Sequence, residues 1–137
     1  LKERWINMMT DKEMKEFLEK QYEWFKSLKV GDAVALSSIY RSWLTPFSKY
    51  IFVKVKNITP TGSVRLENGD LIKEESAKRS ILPIKPVEKS MIEHNRRMEK
   101  AEVIYRNIRD IIGEEMSGED IETIYEIMKK YLKKEGE

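Results

Sequence analysis

Apolar residues recur along this chain at two different periods, and the places where the period changes divide it into three parts. From Thr10 to Leu28, the positions Met14, Phe17, Leu18, Phe25 and Leu28 step mostly by three and four, with Gln21 standing among them. That spacing lays one stripe along a helix, and Tyr22 and Trp24 flank the stripe and widen it. Thr10-Asp11-Lys12-Glu13 has the form of a capping box, in which the Thr10 hydroxyl accepts from the Glu13 N–H and Glu13 reaches back. Ahead of it, Trp5, Ile6, Met8 and Met9 are expected to form a short helix or an arm.

Near Val30 the period drops to two. Lys29-Val30-Gly31-Asp32 leads into a first strand at Ala33–Leu36. Ile51, Val53 and Val55 then share one face, while Phe52, Lys54 and Lys56 share the other. Val64 and Leu66 repeat the apolar set, and Arg65 points with the lysines. Thr59-Pro60-Thr61-Gly62 is a turn, and Asn68-Gly69 predicts a two-residue hairpin of type I′, with positive φ at both central residues. Leu71 and Ile72 follow, then a polar segment over 73–80, then Ile81–Pro86. Two prolines there predict an edge strand or a 3₁₀ exit, because proline cannot donate to a ladder.

From Val87 the helical period returns. Met91, His94, Met98, Ala101, Tyr105, Ile108 and Ile112 keep one face, and Gly113 ends the helix. Ser117 caps a last helix through Ile121, Ile124, Tyr125, Met128, Tyr131 and Leu132, with acidic residues at its start and lysines at its end, as the helix dipole favours. The expected fold is therefore α+β: an N-terminal helical segment (1–28), a small five-stranded SH3-like β-barrel (29–86) and a C-terminal helical hairpin (87–137). The three parts are expected to act as one cooperative unit.

Composition narrows the function. The chain has 137 residues, no cysteine and one histidine, so disulfides, thiol chemistry and cysteine-ligated zinc are excluded. The net charge of +2 hides a polarity. Residues 1–28 carry six Lys/Arg and six Asp/Glu, residues 29–109 sixteen and nine, and residues 110–137 four and nine. A basic middle and an acidic tail predict different partners for each. No apolar run approaches the ~20 residues of a membrane span, and Leu1–Met9 lacks a signal-peptide core, so no membrane contact and a cytoplasmic setting are expected.

Catalytic patterns are missing. Nothing matches a Walker loop, a Gly-x-Gly-x-x-Gly turn or a His-Glu-x-x-His helix, and His94 lies on an apolar stripe, where packing is the ordinary role. The expectation is a protein that is not an enzyme and uses no cofactor or metal. The sharper signal is the connection from Ser37 to Tyr50, long for a hairpin. There Tyr40, Trp43, Phe47 and Tyr50 alternate with Arg41 and Lys49, and such aromatic and Arg side chains dominate binding hot spots. Tyr40, Arg41, Trp43, Phe47 and Lys49 are the candidate partner-binding residues. A second candidate is a basic ridge of Lys54, Lys56, Arg65 and Lys73, able to follow a phosphate backbone.

The order of segments resembles a group of small tailed-phage and prophage proteins with an SH3-like barrel followed by short helices. Val30-Gly31-Asp32-Ala33-Val34, the 52–59 stretch Phe-Val-Lys-Val-Lys-Asn-Ile-Thr, Ile84-Lys85-Pro86 and the 119–127 stretch Glu-Asp-Ile-Glu-Thr-Ile-Tyr-Glu-Ile carry the resemblance. It covers Lys29 to Leu132, while the first helix and the aromatic connection depart from it. It implies a phage origin and supplies no catalytic residues. The function expected is a non-catalytic binder that regulates or inhibits a host protein handling nucleic acid, in the host cytoplasm. A direct nucleic-acid-binding module is one alternative, and a structural component of a virion or larger assembly is another. A monomer is favoured over a dimer, since a chain of this size needs Trp5, Tyr22 and Trp24 to complete its own core.

Overall fold

A computed structural model describes residues 9–40 and 47–135. Helix α1 spans Asp11–Ser27 and carries both halves of the capping box: the Thr10 hydroxyl accepts from the Glu13 N–H at 3.1 Å, and the Glu13 carboxylate accepts from the Thr10 N–H at 3.3 Å. The helix hands over to the sheet through Gly31, whose φ of +93° needs a residue without a Cβ. Asp32 closes this corner. Its carboxylate accepts from the Lys29 N–H at 2.9 Å, and its carbonyl accepts from the Val55 N–H.

Five antiparallel strands follow: β1 (Ala33–Tyr40), β2 (Lys49–Ile58), β3 (Val64–Leu66), β4 (Leu71–Ile72) and β5 (Ile84–Pro86). Their order, β4-β3-β2-β1-β5, makes a meander whose last strand returns to the first, and the sheet curls into a half-barrel. Strand β2 is the long, bent member. Its first part pairs with β1 and its last part with β3. A bulge between Val55 and Asn57 lets Val55 oppose Leu66, both buried, and Ile58 oppose Val64, with Ile58 exposed at the strand end. Pro86 ends β5, an edge strand, where a missing N–H is tolerated.

Three sequence expectations change here. The Asn-Gly pair does not make a type I′ turn, because only Gly69 has positive φ. Instead Glu67-Asn68-Gly69 form a three-residue loop closed by Gly69 N–H to Leu66 carbonyl and Leu66 N–H to Asp70 carbonyl. The polar segment after β4 is a short helix, α2 (Glu74–Arg79), supported by Lys78–Glu74 and Arg79–Glu75 pairs one turn apart. Third, Ser37–Tyr40 and Lys49–Tyr50 belong to β1 and β2, so the connection shrinks to 41–48.

The core forms where the inner sheet face meets α1 and α2. Phe25 and Leu28 from α1 and its cap pack with Val34, Val55, Val64, Leu66, Ile72, Ala77, Leu82 and Ile84, with Tyr22 and Trp24 against the edge. Helix α3 (Lys89–Ile112) buries Met91, and α4 (Gly118–Glu135) completes the chain. Two compact units divide at Arg96 and Arg97, so the first turns of α3 belong with the sheet.

The turn before β3 makes a direct prediction. Gly62 has φ +89°, and a Cβ there would lie 2.7 Å from Glu74 Oε2. Gly62→Ala combines backbone strain with that clash and should lower stability by about 1–3 kcal/mol. Gly31→Ala meets no neighbour within 4 Å and should lose less. Thermal unfolding of the two variants checks the ranking.

Candidate functional site

The sequence-predicted partner site falls at one end of the β1–β2 ladder. Register pairs Tyr40 with Lys49 and Ile39 with Tyr50, so each pair shares a face. Tyr40 and Ile39 are exposed, at 55% and 47%. Phe47, Lys49 and Tyr50 are half-buried. Arg41 and Trp43 lie outside the described residues.

The support behind this rim was not legible in the sequence. The Asn95 side chain meets both backbone groups of Tyr50: Oδ1 accepts its N–H and Nδ2 donates to its carbonyl, each at 2.9 Å. It satisfies the backbone as a neighbouring strand would, where β3 does not reach. His94 Nε2 lies 2.9 Å from the Ser48 carbonyl, and its ring stands edge-on to Tyr50 at 5.4 Å. Lys85 Nζ sits 5.6 Å from the centre of the same ring. The one histidine is thus a packing and hydrogen-bonding residue here. Tyr50 is clamped, while Tyr40 projects from the opposite face of the ladder.

The basic ridge is partly assembled. Lys54 and Lys56 are exposed, and the bulge places Lys56 and Asn57 on the outer side with Arg65, which pairs with Asn57. Arg65 is half-buried and donates to the Gly69 carbonyl at 3.4 Å. Lys73 stands at the start of α2 and lines a shallow groove of about 540 Å³ with Thr59, Thr61, Ser63, Lys78 and Arg79. Two of those cations are already matched, Lys78 by Glu74 at 3.6 Å and Arg79 by Glu75 at 3.2 Å.

Beside this groove α1 is tied to α2. The Tyr22 hydroxyl donates to Glu74 Oε1 at 2.7 Å. This bond holds the Glu74 carboxyl below the usual range, reinforced by Lys78, and holds the Tyr22 phenol above its own. Lys26 and Lys78 lie over the Tyr22 ring at 4.7 and 5.0 Å. The arrangement is a structural clasp that lies far apart in sequence. Among the described residues, no group of three or more His, Asp or Glu is placed to hold a metal ion. No described helix is long and apolar enough to cross a membrane.

The second unit carries a feature of another kind. No described residue beyond Met91 is buried. Ile121, Tyr125, Met128, Tyr131 and Leu132, five of the six residues in the apolar stripe of α4, are exposed, and only Ile124 is half-buried. No protein-family model matches this chain, and neither curated proteins nor solved structures yield a match.

Proposed function

We propose that this chain is a non-catalytic binding protein built on an SH3-like barrel with a C-terminal helical hairpin. Its task in this reading is to regulate or inhibit a host protein that handles nucleic acid, in the cytoplasm of a phage host. The four-strand meander, the short helix before β5 and the return of β5 to β1 support the barrel assignment. The phage origin rests on the sequence resemblance.

One observation carries the binding reading: Ile39 and Tyr40 project from the end of β1 while Tyr50, the ladder partner of Ile39, is held from behind by Asn95, His94 and Lys85. An aromatic that needs little ordering on contact is what a hot spot requires. Capture from host lysate followed by affinity measurement on the captured protein tests it. Tyr40→Ala with Trp43→Ala should weaken binding by roughly thirtyfold or more, the scale of losing a hot-spot anchor. Undiminished affinity in a folded double variant would remove the rim as the interface.

Direct nucleic-acid binding is the second reading, favoured by the common outer face of Lys54, Lys56 and Arg65. It requires affinity that falls with salt at a log–log slope of roughly −0.7 per contacted phosphate on single strands. Lys54→Gln with Lys56→Gln should flatten that slope by about 1.4. An unchanged slope, or no binding at low salt, would eliminate this reading.

A further inference from the structure

We propose that α4 pairs with α4 of a second copy of this chain, antiparallel, about a two-fold axis between Glu126 and Ile127. The stripe comes first. Ile121, Tyr125, Met128, Tyr131 and Leu132 are 37–65% exposed along one face, and a helix with such a face gains its stability by covering it. No described residue of the second unit is buried, so its described residues form no core of their own.

Charge along the same helix selects the occupant. Glu122 and Glu126 precede Lys129 on one flank of the stripe, since steps of four and seven residues return to nearly the same angle. A parallel copy would set this flank against its partner's other flank, which carries Asp120 and Ile127 in place of the matching row. An antiparallel copy reverses the order. With the axis between Glu126 and Ile127, Ile121 lies level with the second copy's Leu132, and Tyr125 with the second copy's Met128. Glu122 then lies two residues, about 3 Å along the axis, from the level of the second copy's Lys129, at 1.5 Å per residue. One self-complementary patch meeting itself is what a two-fold interface requires.

The clasp between Glu126 and Lys129, 3.6 Å apart within one helix, and Lys129 over the Tyr125 ring at 5.4 Å place this lysine at the margin of the stripe. There it covers the rim of an interface, and pairing with the second copy's Glu122 would exchange or share its bond to Glu126. The pairing is independent of the Tyr40 rim, and it would present two rims from one particle.

The test is the mass of the full chain in solution by sedimentation at tens of micromolar, with circular dichroism to verify folding. Wild type should sediment as a dimer. Met128→Glu should raise the dissociation constant by roughly thirtyfold or more, because a charge then enters the centre of the apolar seam. Two charge variants provide a readout that misfolding cannot imitate. Glu122→Lys with Glu126→Lys, and Lys129→Glu, should each be monomeric alone and form a heterodimer when mixed. A monomeric wild type, a dimer untouched by Met128→Glu, or charge variants that fail to pair on mixing would each overturn the proposal.

Discussion

Phe25→Ala is expected to destabilise the protein by about 3–5 kcal/mol, the cost of emptying a buried aromatic site that cannot fully collapse. Phe25 is 2% exposed and is the largest fully buried side chain among the described residues, at the junction of α1 with the sheet. Its neighbours Val34, Val55 and Leu66 belong to different strands, so no single shift can close the cavity. Against a total of about 5–15 kcal/mol for a typical domain, such a loss removes much of the folded population. Phe17, eight residues earlier on the same helix, is only half-buried, and Phe17→Ala should lose markedly less. Urea unfolding at constant slope measures both. Equal losses at the two positions would contradict the core assignment.

Gln21→Leu should be the second largest effect, about 2–4 kcal/mol, although the substitution makes the α1 stripe more apolar. Gln21 Nε2 donates to the carbonyls of Ala77 and Ser80 at 3.0 and 2.8 Å, and Oε1 accepts from the Leu82 N–H at 3.0 Å. One amide thereby satisfies the end of α2 and the entry to β5. Each bond contributes about 0.5–1.5 kcal/mol net, and a buried donor left without a partner costs about 1–3 kcal/mol more. Leu82 is 2% exposed, so its N–H would be such a donor. Gln21→Glu is the diagnostic control: it keeps an acceptor for Leu82 and turns a carboxylate towards two carbonyl oxygens. Amide exchange at Leu82 should speed up in the leucine variant and stay slow in the glutamate variant.

Gln21 also marks how far the chain can be understood without its fold. Its place in the apolar stripe of α1 was legible, but nothing local distinguishes a polar intruder from a polar keystone, because its three partners lie 56 to 61 residues away. The same holds for the candidate site. The aromatic and cationic character of Tyr40, Phe47 and Lys49 is readable from composition. Which of them projects depends on a register that pairs Tyr40 with Lys49, and on Asn95 gripping Tyr50 from 45 residues away.

Local signals succeeded where their physics is local. The capping box at Thr10, the period-two strands, the Gly31 corner and the stripe of α4 all depend on residues within a turn or two of each other. The short helix α2 was missed because its residues, Glu74 to Arg79, show a single buried apolar position, Ala77, too few to display a period. The Asn68-Gly69 turn took a different form because the β3–β4 register, Val64 with Ile72 and Arg65 with Leu71, leaves three loop residues with only Gly69 at positive φ. Amphipathic periods establish which face of each helix and strand seeks cover. What covers it follows from chain topology, since burial is a long-range property: β2 feeds two neighbours, α1 closes the inner face, and the α4 stripe remains open.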